Sequence, residues 1–350
     1  MSDHYRGQAV LKEWKTELIE AGGLEGRDGI LHYGTPHTEV SAAATGTVYC
    51  PLMPIGIIRA SGADALSFLQ GQLSNDLLTL ANASQLSAYC TAQGRVIALF
   101  RIVRSGEEVL LLLPRELLAS TLKRLTMFVL RANVTLSAAD DWAILGLSGP
   151  AASAILTTAD LPVPTAPAAL TSSEVTVVAI PGPAPRYLLL GPVAAVRAIA
   201  PGDGATRVGS QAWAWLDIQS GLPTIGAQTT EAFVPQMLNL DLLDGINFRK
   251  GCYPGQEIVA RTHYLGRLKQ RMYRASLPAG QTAPEPGTSL SAPNLPGQPA
   301  GTIVDAQTGP DGQIDLLAVM QISSHDEGVV ALQDVPLAFQ DLPYPLAASC

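Results

Sequence analysis

The chain has 350 residues, of which 47% are hydrophobic and 15% charged, and its formal net charge is −8. This composition excludes an intrinsically disordered chain, and the 32 glycines and 26 prolines follow no G-X-Y period, which excludes collagen. Because a general nucleic-acid surface needs many cations, the acidic balance counts against a broad polyanion partner. The length predicts two or three domains.

The first elements are a predicted helix over residues 8–20, which Gly22 and Gly23 end, and an irregular connector over residues 34–46. Strand-like residues 55–60 then run through a Ser-Gly turn into a helix, since the serine of such a turn can cap the helix. Three further strands and a helix are predicted at residues 86–91, 95–103, 109–113 and 115–129.

The same order of elements recurs later in the chain. Strand-like residues 142–147 run through another Ser-Gly turn into a helix, and strands at 175–180 and 186–190 precede a helix at 193–200. The recurrence predicts two β-α-β-β-α units of the ferredoxin-like type. The alternative is that strands and helices alternate by chance, as they do in many α+β proteins.

The last third contains a helix-like segment at residues 211–221 and, beyond residue 274, a proline-rich region. Six prolines in residues 277–299 predict loops, and short strands are predicted at residues 302–305, 314–321 and 329–332. These strands fit a small barrel or sandwich. The chain has no P-loop, dinucleotide-binding, zincin or nucleophile-elbow motif, so nucleotide hydrolysis, nicotinamide chemistry and these hydrolytic mechanisms have no sequence support.

The four cysteines are far apart and form no C-x-x-C motif: Cys50, Cys90, Cys252 and Cys350. The sequence therefore predicts neither a metal site of cysteines nor a disulfide framework. The first eight residues lack the basic start and the apolar run of a secretory signal, and no apolar stretch is long enough to span a bilayer. These features predict a cytoplasmic protein with no membrane partner.

Positive charge is concentrated between residues 249 and 274, where seven basic residues accompany one acid, Glu257. The basic residues are Arg249, Lys250, Arg261, Arg267, Lys269, Arg271 and Arg274. This concentration indicates a site for an anion such as a carboxylate, a phosphate or a short stretch of RNA. The alternative is a basic rim that acidic neighbours such as Asp241 and Asp244 neutralise.

Cys252 is the candidate reactive thiol. It lies in a Gly- and Pro-containing turn that follows two cations, and both the cations and free backbone amides favour a thiolate. Cys50 and Cys90 suit the alternative of small buried apolar residues. Gln256 and Glu257 are candidates for hydrogen bonds to a heterocycle, although Glu257 could instead pair with Arg261 four residues later.

Four motifs lie in this chain at separate places. Residues 250–257 are K-G-C-Y-P-G-Q-E, preceded by F-V-P-Q at 233–236, and the first half contains F-L-Q-G-Q-L-S-N-D at 68–76 and A-Q-G-R at 92–95. Together they resemble the YgfZ family, folate-binding relatives of the glycine-cleavage T protein, over most of residues 50–275.

The resemblance implies an α+β fold, namely a T-protein-like three-domain ring of two ferredoxin-like α/β units and a small C-terminal β-barrel. The implied segments are an N-terminal helix and connector at residues 1–47, the first ferredoxin-like unit at 48–138 and the second at 139–245. The signature cysteine segment follows at 246–270, and the barrel is implied at 271–350.

The resemblance also implies tetrahydrofolate as the cofactor and a cytoplasmic role in assembling or repairing iron–sulfur clusters, with a link to tRNA modification. The implied partners are folate or folylpolyglutamate and iron–sulfur client enzymes or assembly proteins, and tRNA binding is not expected as the main role. Cys252 is the implied reactive thiol, and no metal ligand is implied. The implied folate-binding residues are Lys250, Gly251, Tyr253, Gln256, Glu257, Arg261, Gln219, Asn75 and Arg95.

Two positions depart from the T-protein pattern. T proteins carry a catalytic aspartate in the hairpin that corresponds to residues 93–101, where this chain has no carboxylate. Aminomethyl transfer then lacks its general acid and base. Gln219 stands where T proteins have a pterin-recognising glutamate, and it supplies no charge. We therefore expect an accessory protein without conventional turnover; the alternative is a tetrahydrofolate-dependent one-carbon (aminomethyl) transferase or demethylase.

A third hypothesis, a noncatalytic RNA-binding protein, depends on the basic residues alone. Only 5% of the chain is aromatic. Because proteins usually hold single strands by stacking bases on aromatic rings, this fraction counts against RNA binding.

Overall fold

The computed structural model describes residues 3–199, 201, 204–264, 266 and 268–346. Ala200, Arg267, Cys350 and the first two residues, all considered above, lie outside the described residues. The helices of the described part are α1 Asp3–Glu20, α2 Pro36–Thr45, α3 Ala65–Gln70, α4 Arg115–Thr126, α5 Ala152–Thr158, α6 Val193–Ala198, α7 Ser210–Gln219, α8 Gln256–Tyr264 and α9 Ile322–Asp326.

The strands of the first half are β1 Leu24–Glu25, β2 Ile30–His32, β3 Val48–Pro51, β4 Ile55–Ser61, β5 Ser84–Cys90, β6 Val96–Ser105, β7 Glu108–Pro114, β8 Thr135–Ala138, β9 Trp142–Ser148 and β10 Ala169–Ser172. Those of the second half are β11 Val175–Ala179, β12 Arg186–Pro192, β13 Thr206–Arg207, β14 Gln270–Leu277, β15 Ser289–Leu290, β16 Gly301–Thr308, β17 Ile314–Gln321, β18 Ala331–Leu332, β19 Val335–Pro336 and β20 Ala338–Gln340. Short 3₁₀ turns lie at Leu77–Thr79 and Pro235–Leu238.

The predicted irregular connector at residues 34–46 is wrong, because α2 lies there. This helix buries a carboxylate rather than a broad apolar stripe. Glu39 accepts hydrogen bonds from the backbone N–H groups of Tyr33, at 2.6 Å, and Gly209, at 2.8 Å. A helix with so few buried apolar residues has little hydrophobic periodicity, so the sequence pattern did not reveal it.

The chain forms two compact units, which residue contacts define. The first comprises residues 1–70, 77–85 and 100–216, and the second comprises residues 71–76, 86–99 and 217–350. The five segments predicted from the sequence are a different division, and they stay a prediction.

Two sheets share a strand order. One has the order β5-β6-β7-β4-β8, and the other has the order β10-β11-β12-β9-β3-β13. In each, the strand before the first helix, β4 or β9, lies beside the last strand before the second helix, β7 or β12. The recurring order of elements in the sequence is therefore accompanied by a recurring sheet topology, with β3 as an addition to the second sheet.

The central strands of the second of these sheets are buried on both faces. In β12, Leu188 and Leu190 pack into one apolar core with Trp213 of α7, whereas Tyr187 and Leu189 pack into another core with Trp14 of α1. Because successive side chains of a strand point to opposite faces, a continuous apolar run supplies both cores. This arrangement explains why these strands are uniformly apolar.

The second unit contains a five-stranded sheet with the order β15-β16-β17-β14-β20. All of its pairs are antiparallel, and β14 pairs with β17 over its full length, from Gln270 opposite Gln321 to Leu277 opposite Ile314. An apolar core on this sheet includes Tyr273, Leu316 and Met320. The strands predicted at 302–305 and 314–321 lie within β16 and β17, whereas the one predicted at 329–332 is present only as β18, which pairs with β19 in a separate two-stranded sheet. The mixed α+β fold is confirmed.

Candidate functional site

Lys250 attaches the signature loop, residues 250–255, to another segment of the second unit. Its ammonium donates hydrogen bonds to the backbone carbonyls of Leu73, at 2.6 Å, and Asn75, at 2.9 Å. The backbone N–H of Lys250 donates to Asn247 Oδ1 at 3.0 Å. The lysine is half-buried, so its two carbonyl partners stabilise a charge that has lost part of its water.

Burial lowers the pKa of Lys250 to about 8, although the nearby Asp76 carboxylate opposes the shift. The ammonium lies 5.2 Å from the centre of the Tyr253 ring, within the range of a cation–π contact. Tyr253 is buried, and burial together with the Cys90 thiol raises the pKa of its phenol. The interior side of the loop is thus held by a lysine and a neutral aromatic ring.

Asn75, one of two site residues assigned from the first half of the chain, is also part of this attachment. Its amide nitrogen donates to the carbonyls of Leu86, at 2.9 Å, and Asp244, at 2.5 Å, and its oxygen accepts from the N–H of Asp76. Asn75 therefore holds residues 71–76 in the position that presents two carbonyls to Lys250.

Two glycines bring the A-Q-G-R and K-G-C-Y-P-G-Q-E motifs into contact. Gly94 lies in the turn between β5 and β6, and Gly255 immediately precedes α8; both have positive φ, at +73° and +82°. A Cβ at Gly255 would lie 2.7 Å from the Cα of Gly94, and a Cβ at Gly94 would lie 3.1 Å from Ile258 Cβ. Only glycine permits this backbone conformation and close approach together.

Cys252 is exposed, whereas its neighbour Tyr253 is buried. Cys50 and Cys90 are free but buried, and burial raises the pKa of Cys90 to about 12. Gly251 is exposed as well, and a side chain there would meet open space. Of the three cysteines in the described residues, Cys252 is therefore the one that solvent and a partner can reach.

The remaining signature residues begin α8. Gln256 donates from its amide to the Lys250 carbonyl at 3.4 Å, whereas Glu257 and Arg261 are exposed. No ion pair joins Glu257 to Arg261 in the described residues. The F-V-P-Q motif supports the same helix, because the buried Gln236 donates to the Val259 carbonyl at 2.6 Å.

The basic residues differ in whether an acid neutralises them. Arg271 makes a two-point ion pair with Asp241, at 2.9 and 2.8 Å, and both side chains are largely buried. Arg249, Arg261 and Lys269 are exposed, and none pairs with an acid in the part of the chain that the structure describes. The neutralised-rim alternative therefore holds for Arg271 and not for these three cations.

Gln219 lies in a separate network of the second unit. Its amide oxygen accepts a hydrogen bond from Arg274 at 2.9 Å, and its amide nitrogen donates to Asp315 at 3.0 Å. An amide carbonyl has two lone pairs and an NH₂ group two protons, so these two bonds leave one of each.

Arg95 contributes to the hairpin rather than to the loop. Its guanidinium donates to the Ala232 carbonyl at 2.6 Å, and the backbone of β6 pairs with the same segment through Val96 and Phe233. The structure thus brings Asn75, Lys250, Tyr253 and Gln256 together and puts Gln219 in a different set of contacts.

Sequence reasoning missed a cluster of three rings, of which one directly precedes the basic stretch of residues 249–274 and two lie within it. Phe248 stacks on His263 with ring centroids 3.8 Å apart, and Tyr264 meets both rings edge to face. The residues are 15 positions apart in the chain, and a count of aromatics over 350 residues conceals them. A scan for aromatics within the basic stretch and directly beside it would have found this signal.

No helix of the described residues is long and apolar enough to cross a membrane. In the same residues, no group of three His, Cys, Asp or Glu side chains is arranged to hold a metal ion.

No family model matches the chain. The chain is 32% identical over 327 residues to the tRNA-modifying protein YgfZ of Klebsiella pneumoniae (strain 342), which covers 89% of this chain and 97% of that protein. The chain belongs to the YgfZ family. A second YgfZ relative, from Colwellia psychrerythraea, is 33% identical over 229 residues, which are 65% of this chain and 71% of the relative.

Among solved structures, the glycine cleavage system aminomethyltransferase T of Bartonella henselae is similar to the chain. The TM-score is 0.80 at 18% sequence identity, over 95% of this chain and 96% of the other. At this identity the similarity concerns the fold. The resemblance of this YgfZ-family chain to the T-protein fold is therefore confirmed.

Proposed function

We propose that this YgfZ-family protein is a cytoplasmic, folate-binding accessory protein for assembling or repairing iron–sulfur clusters, with a link to tRNA modification. The observation that carries the proposal is the signature loop, in which an exposed Cys252 lies between the anchored Lys250 and the closely packed Gly255. The three-domain ring and the C-terminal barrel that the resemblance implies belong to the same proposal.

The loop suits a thiol that meets a large partner. Two hydrogen bonds from Lys250 and the glycine contact at Gly255 restrict the backbone on both sides of Cys252. A sulfur that is exposed on a restrained loop can approach iron or a cluster held by a client protein without a large loss of conformational entropy. The cluster is here the cargo, and the chain itself supplies one thiol.

Tetrahydrofolate fits two features of the second unit. Gln219 has a free lone pair and a free N–H for a pterin edge, and Arg274 holds its amide in one orientation. The exposed Arg249 and Arg261 provide charges for the glutamate tail. When bound, tetrahydrofolate supplies one-carbon chemistry, and this chain's own residues orient the ring and neutralise the tail.

An accessory role agrees with the hairpin better than a transferase does. Residues 93–101 contain no carboxylate, so the hairpin that precedes β7 offers no side chain to protonate a folate nitrogen. Arg95 in that hairpin is engaged with the Ala232 carbonyl. A transferase would require its general acid from elsewhere.

The thiol role is tested by complementation. In a strain that lacks the gene, the Cys252→Ala protein should fold normally but leave the activity of iron–sulfur enzymes low, because the only exposed described thiol is gone. Arg124→Gln, a change at an exposed residue of α4, is the control and should restore activity. Full restoration by Cys252→Ala would refute the thiol role.

The folate role is tested by calorimetric titration of tetrahydrofolate with one and with several glutamates. We expect wild type to prefer the polyglutamate and the Arg249→Gln, Arg261→Gln variant to lose that preference. Lys250 is left intact in this test because its substitution would release the loop itself. The control removes two exposed charges of the first unit, Arg124→Gln and Arg131→Gln. Absence of binding by wild type would refute folate binding.

A further inference from the structure

The three rings missed by sequence reasoning form an exposed aromatic surface, composed of Phe248, His263 and Tyr264. The parallel pair Phe248–His263 has an interplanar angle of 12°, and Tyr264 lies nearly perpendicular to His263 at a centroid distance of 4.7 Å. Tyr264 is 63% exposed and His263 is exposed as well. Single exposed rings are ordinary on protein surfaces, but these three rings, of which Phe248 is half-buried, contact one another, and a contiguous exposed apolar patch marks a binding surface.

Unpaired cations adjoin these rings along the chain and along α8. Arg249 follows Phe248 directly, and Arg261 precedes Tyr264 by three residues, which places the two on neighbouring positions of one helix face. Both arginines are exposed and pair with no acid among the described residues. Two exposed arginines that pair with no acid of the described residues are thus next to Phe248 in the chain and next to Tyr264 on the face of α8.

Rings and unpaired guanidinium groups together match one chemical class of ligand. A single-stranded nucleic acid presents flat bases, which stack on aromatic rings, and phosphates, which pair with arginine. An acidic peptide would satisfy the cations but offers few flat groups for the rings. A folate tail would also satisfy the cations, as proposed above, but it offers one ring where a single strand offers several bases, and the proposed function assigns its pterin to Gln219.

We propose that the aromatic surface and its two arginines bind a single-stranded segment of RNA, with bases stacked on Tyr264 and phosphates paired with Arg249 and Arg261. The inference rests on the proposed function only in the choice of RNA over DNA. The small aromatic fraction of the chain, which counted against RNA binding, does not exclude it, because three rings at one place suffice for a stacking surface.

The test is fluorescence anisotropy with a labelled single-stranded RNA of about eight nucleotides, within the range of sites that such surfaces bind. Wild type should bind with an affinity that falls as salt rises. Tyr264→Ala should weaken binding about tenfold with an unchanged salt slope, because stacking carries no charge. Arg261→Gln should lower the slope by about 0.7, the contribution of one phosphate contact on a single strand.

Two controls make the result specific. Tyr264→Phe keeps a ring and should bind like wild type, whereas Phe128→Ala removes another exposed ring beside exposed cations, in the first unit, and should also bind like wild type. The inference is overturned if wild type does not bind the RNA, if Phe128→Ala loses as much affinity as Tyr264→Ala, or if Tyr264→Ala loses none. Equal binding of an acidic peptide with the same dependence on Tyr264 would also overturn it.

Failure of this inference can be told apart from failure of the proposed function. Tetrahydrofolate titration of Tyr264→Ala should give the wild-type affinity, because Gln219 and not the aromatic surface is assigned to the pterin. RNA binding that is lost while folate binding is kept shows that the rings serve RNA and not folate, although the proposed function assigns Arg249 and Arg261 to the folate tail as well. Loss of both in Tyr264→Ala would overturn the assignment of the rings to RNA.

Discussion

Replacement of Lys250 by methionine should open the second unit and leave the first unit closed. Methionine retains much of the apolar stem and removes the ammonium that donates to the carbonyls of Leu73 and Asn75 at 2.6 and 2.9 Å. Each buried carbonyl that loses its donor costs about 1–3 kcal/mol. The substitution also removes the cost of partly burying a charge, so we expect a net loss of about 2 kcal/mol.

The cysteines provide an assay that separates the two units. All four tryptophans, at positions 14, 142, 213 and 215, belong to the first unit, so tryptophan fluorescence does not follow the second. Cys90 lies in the second unit and Cys50 in the first, and both are buried. Alkylation of each thiol, followed by mass spectrometry of its peptide, therefore measures how often each unit opens.

The rate of Cys90 alkylation reports the open population when closing is fast. A loss of about 2 kcal/mol corresponds to an acceleration of roughly thirtyfold, since 1.4 kcal/mol is a factor of ten. Cys50 should keep its rate, and Lys269→Met, at an exposed lysine, is the matched control. An unchanged Cys90 rate in Lys250→Met, or an equal acceleration of Cys50, would refute the reasoning.

Three further results are expected. In wild type, Cys252 should be alkylated at once and Cys90 only on opening, as peptide mass spectrometry would show; equal rates would contradict the exposure of the loop. Gly255→Ala should cost about 1–3 kcal/mol through its positive φ and its approach to Gly94, and a Cys90 alkylation rate like that of wild type would argue against that packing. The pKa of Lys250 is lowered to about 8 in the folded chain and is 10.5 in the unfolded chain. Between these pH values the unfolded chain therefore binds one more proton than the folded chain. Calorimetry should therefore show stability rising over that interval in wild type relative to Lys250→Met, and parallel pH curves would contradict it.

About half of the described strands and most of the described helices were predicted, because their signals are local, whereas other strands, such as β3 and β14, were not predicted. A strand such as β12 needs only a run of apolar residues, and a helix such as α4 only a suitable spacing of leucines after a proline. Helix α2 was missed because it buries the Glu39 carboxylate, whose amide partners at residues 33 and 209 the local pattern cannot show.

The candidate site was predictable in composition and not in arrangement. Motifs identified Cys252 and Lys250, and the charge count identified the basic stretch. The same count could not separate Arg271, which Asp241 neutralises from 30 residues away, from Arg261, which remains exposed. A count of charged residues treats every arginine alike, whereas the neutralisation of an arginine by an acid depends on the distance between the two groups in space.

The sequence by itself therefore determined the family resemblance, the mixed α+β elements and the position of one candidate reactive thiol, because each depends on residues close together in the chain. The tertiary structure decided which cations stay unpaired, that Lys250 anchors the loop to carbonyls some 175 residues earlier, and that Phe248 meets His263. Those outcomes depend on hydrogen bonds and ring contacts of only a few ångströms, and only the folded chain brings such distant residues within that range.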